Sequence, residues 1–336
     1  MTISTLVLKR VLLSIPVLFA VSALMFVTLR LLPIDPAAMS MPPTATKADI
    51  AAKRVEMGLD KPLLVQFAYW VKTTLSGDLG RSMQKRQPVS GLVVDALPQT
   101  IELALLAMVI ASVIGLFGAQ TMFMLRNNRA WSAVLEVGSI VLLSIPEFMW
   151  GLVFILIFGV FLNVLPFTGR ISPEFERPVV THFLLIDTLL VGRLDMTLDV
   201  LKHMLLPALA LGLAFAPAIT RVLFSSLLDV YQEDYIQQAR FRGFSEWVIL
   251  RRHAFPNAIV PTLNLMGVQF GFLFGGTLLI EVIYSYPGMG NLMVDAVRNA
   301  DLPIIQTVGM TYGFAVVAIT IVVDVASLIL NPKARR

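Results

Sequence analysis

Six long apolar runs, at 11–29, 101–125, 135–165, 205–228, 258–283 and 304–330, alternate with shorter polar stretches along this 336-residue chain. At a rise of about 1.5 Å per residue, each run after the first exceeds, as a helix, the roughly 30 Å hydrocarbon thickness of a bilayer. The third is interrupted by Ser144-Ile145-Pro146-Glu147, where proline is expected to kink it. A seventh apolar piece, 179–191, is too short to span and reads as an interfacial or re-entrant helix on the outer side. Lys9 and Arg10 precede the first run, as in a signal peptide, but the run is long for that role. No small-residue cleavage site follows it before Leu31-Leu32-Pro33, so it reads as a first span. The pattern predicts an all-α polytopic membrane protein of six transmembrane helices. It divides into 1–32, a polar segment 33–99, and a five-helix core 100–336. Within 33–99 it predicts a helix over 47–57 and a second amphipathic piece ending at Pro98.

The most polar stretch of the second half, 229–256, lies between two apolar runs and reads as two short helices joined at Gly243. Tyr231, Tyr235 and Ala239 share one face at i, i+4, i+8 spacing. Gly243 can supply the positive φ of a C-terminal cap. Ser245 is the expected N-cap of the second helix, with Glu246 in its first turn and Phe244 and Ile249 placed as a hydrophobic staple. Arg251, Arg252 and His253 fall in its last turn, and Pro256 is expected to end or kink it. The alternative is a solvated loop whose arginines only fix membrane orientation.

Composition agrees with lipid as the main solvent: the chain is 57% hydrophobic and 14% charged, with mean hydropathy +0.80. It has no cysteine, which removes disulfides, thiolate metal sites and thiol nucleophiles. A net charge of +4 could suggest nucleic acid, but the basic residues are dispersed with no basic, aromatic-interleaved face. Lys9/Arg10, Arg126/Arg129, the arginines between Arg221 and Arg252, and Lys333/Arg335/Arg336 all fall on one side of the six spans. The excess predicts that side, and so both termini, to be cytoplasmic. The segment 33–99 is also basic, but long segments translocate largely regardless of charge, and it is expected in the periplasm.

Carboxylates within spans are candidates for function because burial in hydrocarbon is costly. Arg221 can snorkel as an anchor, Asp324 is expected to pair with a basic tail residue or a neighbouring helix, and Glu102 and Glu136 lie near span ends. Glu147, beside Trp150, is expected to face the bundle interior or a wet path. Glu281 precedes Tyr284-Ser285-Tyr286-Pro287-Gly288, where gating and plain turn formation both fit. There is no phosphate-cradling G-x-x-x-x-G-K-[ST], no metal-binding spacing of His182, His203 and His253, and no G-x-S-x-G. These absences predict a chain that is not an enzyme and binds no metal.

The stretch around Gly243 resembles the cytoplasmic coupling loop of ATP-binding-cassette (ABC) importer permeases. That motif, Glu-Ala-Ala, three residues, Gly, nine residues, Ile-x-Leu-Pro, falls here on Gln237, Gln238, Ala239, Gly243, His253, Phe255 and Pro256, with spacing intact and several types replaced. The text DYIQQARFRG, with Arg242 where lysine is usual, is similar to the dipeptide and oligopeptide permease branch. So are LPIDPA, GLDKPLLVQF, LPQTIELALLA, SIPEFMWG, LPFTGR, PGMGNLMVDAV and VVDVASLILNPKARR, in order. The resemblance implies a type I importer fold. It implies a second homologous permease subunit, two cytoplasmic ATPase subunits holding ATP and magnesium, and a periplasmic solute-binding protein, with no cofactor on this chain. It places Tyr235, Gln237, Gln238, Ala239, Arg240, Arg242, Gly243, His253, Phe255 and Pro256 in the loop that couples to the ATPase, while the reading of the carboxylates above makes Glu147, Trp150, Glu281, Tyr284, Pro287 and Gly288 the candidates for the path or its gate. Peptides are the expected cargo. Nickel complexes, glutathione, opines and oligosaccharides are the alternatives within the same machinery. An ion-coupled carrier using Glu147 and Asp324 is the alternative of a different class.

Overall fold

A computed structural model describes residues 3–31, 35–42 and 44–330. Leu32, Pro33 and Ile34 of the LPIDPA turn, and the basic tail Lys333, Arg335 and Arg336, lie outside the described residues. Fourteen helices run in the order α1 (Ile3–Leu31), α2 (Pro36–Met39), α3 (Lys47–Glu56), α4 (Leu63–Leu75), α5 (Val89–Leu125), α6 (Arg129–Ser144), α7 (Glu147–Phe154), α8 (Leu184–Leu190), α9 (Leu194–Val230), α10 (Asp234–Phe241), α11 (Glu246–Val248), α12 (Phe255–Ile283), α13 (Met289–Arg298) and α14 (Leu302–Leu330) among the described residues. Five continuous helical stretches are long and apolar enough to cross a membrane, and the pair α6–α7 makes a sixth if counted as one broken span.

That broken span departs from the expected kink. α6 and α7 meet at 98°. Ile145 is extended (φ −95°, ψ 120°), the conformation a following proline enforces, and Glu147 opens a new helix after Pro146. A wide π-helical turn, Ile155–Phe161, continues α7. Pro98, by contrast, sits inside the 37-residue α5, which begins at Val89, so the expected division at residue 99 falls within a helix. Of the piece 179–191, only Leu184–Leu190 is helical.

α5 and α9, each of 37 residues or about 55 Å, form the axis of the molecule. In lipid there is little hydrophobic drive between helices, so close approach through small residues must bring them together. Ala104, Ala107, Ala111, Gly115 and Ala119 form such a ridge on α5, all buried. A Cβ on Gly115 would lie 2.7 Å from Ile219 of α9, and one on Gly212 of α9 would lie 2.7 Å from Ile110. The Thr220 hydroxyl donates across the seam to the Gly115 carbonyl at 3.2 Å. α1 packs on α14 at the edge of the bundle, where Arg10 Nε meets Asp324 Oδ2 at 2.8 Å. Asp324 thus has its partner on the neighbouring helix.

Candidate functional site

At the C-terminal ends of α5 and α9 the chain folds back as a bent knob. Its root is apolar: Phe123, Leu223, Leu227, Tyr231, Ile236, Ala239, Ile249, Leu250 and Ala254 are buried together. The Phe123 and Tyr231 rings lie 4.3 Å apart, and the Arg126 guanidinium sits 3.9 Å above Phe123. α10 ends at Phe241 with Arg242 as its cap, and Gly243 follows with a φ of +79° that admits a Schellman closure. The Gly243 N–H donates to the Arg240 carbonyl at 2.9 Å, and the Phe244 N–H donates to the Ala239 carbonyl at 3.3 Å. Nothing lies within 4 Å of a Cβ built on Gly243, so the backbone conformation, not space, calls for glycine there.

Three sequence expectations change at this knob. Tyr231 belongs to the end of α9, and the buried face of α10 is Ile236 and Ala239, leaving Tyr235 exposed. Ser245 has the extended backbone of an N-cap but makes no capping hydrogen bond, and Phe244 lays its ring 5.5 Å from His253 while Ile249 is buried in the core. Pro256 neither ends nor starts a span. Helix runs on from Glu246 to Ile283 through a π-helical turn, Ile249–Ala254, that ends two residues before the proline. A wider turn accommodates the missing proline N–H without breaking the helix. Arg251, Arg252 and His253 therefore sit within a continuous helix, not at a terminus.

The two arms of the knob are tied together. Arg240 Nε meets Glu246 Oε1 at 2.8 Å, and this hydrogen bond raises the Arg240 pKa. Asn257 Nδ2 donates to Tyr235 Oη at 2.9 Å and to the His253 carbonyl at 3.0 Å. Burial, reinforced by the Glu246 charge, pushes the Tyr231 phenol up to about 12. Gln237, Gln238, Arg242 and Pro256 are exposed, and Phe255 is half-buried. The pattern reading missed Phe241, 88% exposed at the tip, and Trp247, over which Arg251 stacks at 5.3 Å. The available signal was two aromatic residues in an otherwise polar stretch.

At the other end of the bundle Glu281 is wholly buried. It accepts from Thr100 Oγ1 at 2.7 Å, from the Gly290 N–H at 2.7 Å and from the Asn291 N–H at 3.2 Å. A carboxylate suits the amide-rich start of α13. Thr100 in turn accepts the Met289 N–H at 2.8 Å, so one carboxylate joins α5, α12 and α13. A Cβ on Gly288 would fall 2.5 Å from the Glu281 carboxyl group. Tyr284 donates to the Gly151 carbonyl at 2.9 Å, linking the same turn to α7. Pro287 lines a surface cavity beside it. Glu147 lies apart, its carboxylate near Gly276, and among the described residues it makes no ion pair. Trp150 is half-buried, its ring 5.9 Å from Phe154. Arg170, which the pattern reading left unassigned in LPFTGR, is buried against Glu102, and Glu102 also accepts the Leu185 N–H at 2.9 Å.

Residues 111–336 match the family model described as binding-protein-dependent transport system inner membrane component, and residues 3–104 match its N-terminal companion. The chain is 35% identical over 328 residues to a di/tripeptide transport system permease protein of Pseudomonas aeruginosa, covering 97% of each chain. It is 35% identical over 334 residues to a glutathione transport system permease protein of Escherichia coli, covering 98% of each. Its fold is similar to that of the MetNI methionine ABC transporter in an inward-facing conformation, with TM-score 0.56 and 16% identity over 71% of this chain and 96% of that one. With its long apolar helices and match along nearly the whole chain, the protein belongs to the family of binding-protein-dependent transport system inner membrane components, the multi-pass bacterial inner-membrane permeases of ABC importers.

Proposed function

We propose that this chain imports short peptides as one of two permease subunits, with a periplasmic solute-binding protein delivering cargo and two cytoplasmic ATPase subunits driving the cycle. ATP and magnesium are held by the ATPases, and this chain binds no cofactor. The observation that carries the reading is the knob: a rigid, doubly tied bend whose buried root is continuous with the two axial helices and whose tip offers Phe241, Trp247 and exposed polar side chains. A partner that grips the tip would move α9 and α12 as levers, because a packed knob transmits displacement instead of absorbing it. Exposed aromatic residues are the usual anchors of such contacts. The arginines of the knob, with Arg126 and Arg129 beside it, favour the cytoplasm for this end and for both termini. Peptide cargo is the reading favoured by the two relatives' names.

Reconstitution with the cognate partners tests it. Gly243→Trp and Phe241→Ala are expected to abolish or sharply reduce ATP-dependent peptide uptake while the chain remains folded. Unchanged uptake and ATPase assembly in both variants would sink the coupling assignment, and uptake by this chain alone under a pH gradient would sink the importer reading. Competition among labelled di-, tri- and oligopeptides for the binding protein decides the cargo.

A further inference from the structure

Where the segment between α1 and α5 packs on the end of α1, it covers a half-buried cation, Arg30. α4 packs Phe67 and Trp70 against Phe26 of α1, with ring centroids 5.3 and 5.6 Å away. Its other side leaves Leu64 and Leu75 each 83% exposed. A short helix with bare leucines, docked on the end of a membrane span, is placed to lie in the lipid interface. Behind it is a cavity of about 490 Å³, walled by Arg30 at the end of α1, the Glu56–Lys61 turn, Trp70 and Thr73 of α4, and Pro303 and Gln306 of α14.

Arg30 is the unusual wall. Its guanidinium lies 5.1 Å from the centre of the Phe26 ring, and its Nε is buried without a hydrogen-bond acceptor. Among the described residues no carboxylate pairs with it. Two acids also line the cavity, and each has its own partner: Glu56 is paired with Lys53 at 2.6 Å, and Asp78 accepts the Gly80 N–H at 2.9 Å. Arg30 is half-buried, and withdrawing its Nε from water without an acceptor carries a cost that an anion with acceptor oxygens removes. Lys61, on the same cavity, adds a second cation without an ion-pair partner among the described residues.

We infer that this cavity holds the headgroup of a membrane phospholipid, its phosphate on Arg30 and Lys61. The choice of a lipid follows from the mixed lining. Val55, Val65, Leu79 and Trp70 sit beside the cations, and the exposed leucines of α4 are placed for acyl chains. A free anion would gain nothing from that apolar half. The site clamps the inter-span segment to α1 and α14. Its chemistry does not depend on the transport reading; only the leaflet, the outer one, rests on the topology proposed above.

The test is native mass spectrometry of the assembled importer in mild detergent, titrated with phosphatidylethanolamine. The wild type is expected to retain one phospholipid that Arg30→Ala loses, with affinity falling about tenfold or more. Arg30→Lys should retain part of the affinity, and Lys61→Ala, at an exposed position outside the packed core, should lose a smaller factor. Equal retention in wild type and both alanine variants overturns the site. Displacement of the lipid by inorganic phosphate or a tripeptide at comparable concentration overturns the lipid assignment. Because the chain has no cysteine, Lys61→Cys reports the leaflet separately. Labelling by an impermeant maleimide from outside is expected, and labelling only from inside would overturn the topology while leaving the lipid measurement to stand.

Discussion

At one end of the α5–α9 pair, buried aliphatic and aromatic side chains root a knob whose tip is bare; at the other, buried charges hold a turn shut. Among the described residues the knob has one salt bridge on its surface, Arg240–Glu246, and its interior is almost wholly apolar. The opposite end buries Glu281 under three hydrogen bonds and Glu102 against Arg170. The difference matters because the two materials fail differently. An apolar root degrades gradually as contacts are trimmed. A buried charge that loses its partner is penalised at once. The first suits a handle that must stay rigid while its tip engages another surface. The second suits a junction whose few parts must all be in place.

Removing Arg170 should break this contrast most severely. Arg170→Met leaves Glu102 buried and unpaired and is expected to cost about 3–5 kcal/mol, read as a lower unfolding temperature in detergent. The double variant with Glu102→Met should recover most of that loss, and a double variant no better than the single would show the pair to be unimportant. Next, Gly288→Ala forces a methyl group against the Glu281 carboxyl group and should cost about 1–3 kcal/mol by the same measurement. Gly243→Ala meets no steric wall but must hold a positive φ, so about 1–2 kcal/mol is expected, with loss of α10 end protection in hydrogen exchange.

Alkaline titration sharpens the picture of the knob's root. The Tyr231 phenol is raised to about 12, above its unfolded value near 10. The stability it contributes is complete below pH about 10 and is lost as pH rises through about 12. The difference in tyrosinate absorbance between the wild type and Tyr231→Phe should therefore appear only toward the top of that range. Smallest in stability is Phe241→Ala, expected within about 0.5 kcal/mol because the ring is exposed. Its effect on ATP-driven uptake should exceed about tenfold, as for an interface anchor. A Phe241→Ala chain that is unstable, or fully active, would erase the distinction between root and tip.

Much of this was legible from the chain. Apolar run length locates five continuous crossings and the bent α6–α7 pair that makes a sixth if it is one span, and the glycine at 243 marks a helix cap that its φ of +79° bears out. What pattern could not give was the outcome at each proline. Pro146 breaks its span by 98°, Pro98 sits quietly inside α5, and Pro256 is absorbed by a π-helical turn. One residue type gives three outcomes because neighbouring packing decides whether the lost hydrogen bond is tolerated. Arg170 went unassigned for a related reason: its partner, Glu102, lies 68 positions away. Phe241 was overlooked between two arginines because only the fold shows that its ring has nothing to pack against.

The sequence by itself determined that this is a helical membrane protein with a polar, glycine-capped bend between its fourth and fifth apolar runs, because the cost of exposing polar backbone to lipid leaves few choices for such runs. Only the tertiary structure decided which carboxylates are junctions and which stand alone. Glu281 and Glu147 look alike along the chain, yet one gathers three donors from two other helices and the other sits beside a glycine. A buried charge is defined by what surrounds it, and those surroundings come from residues far apart in the chain.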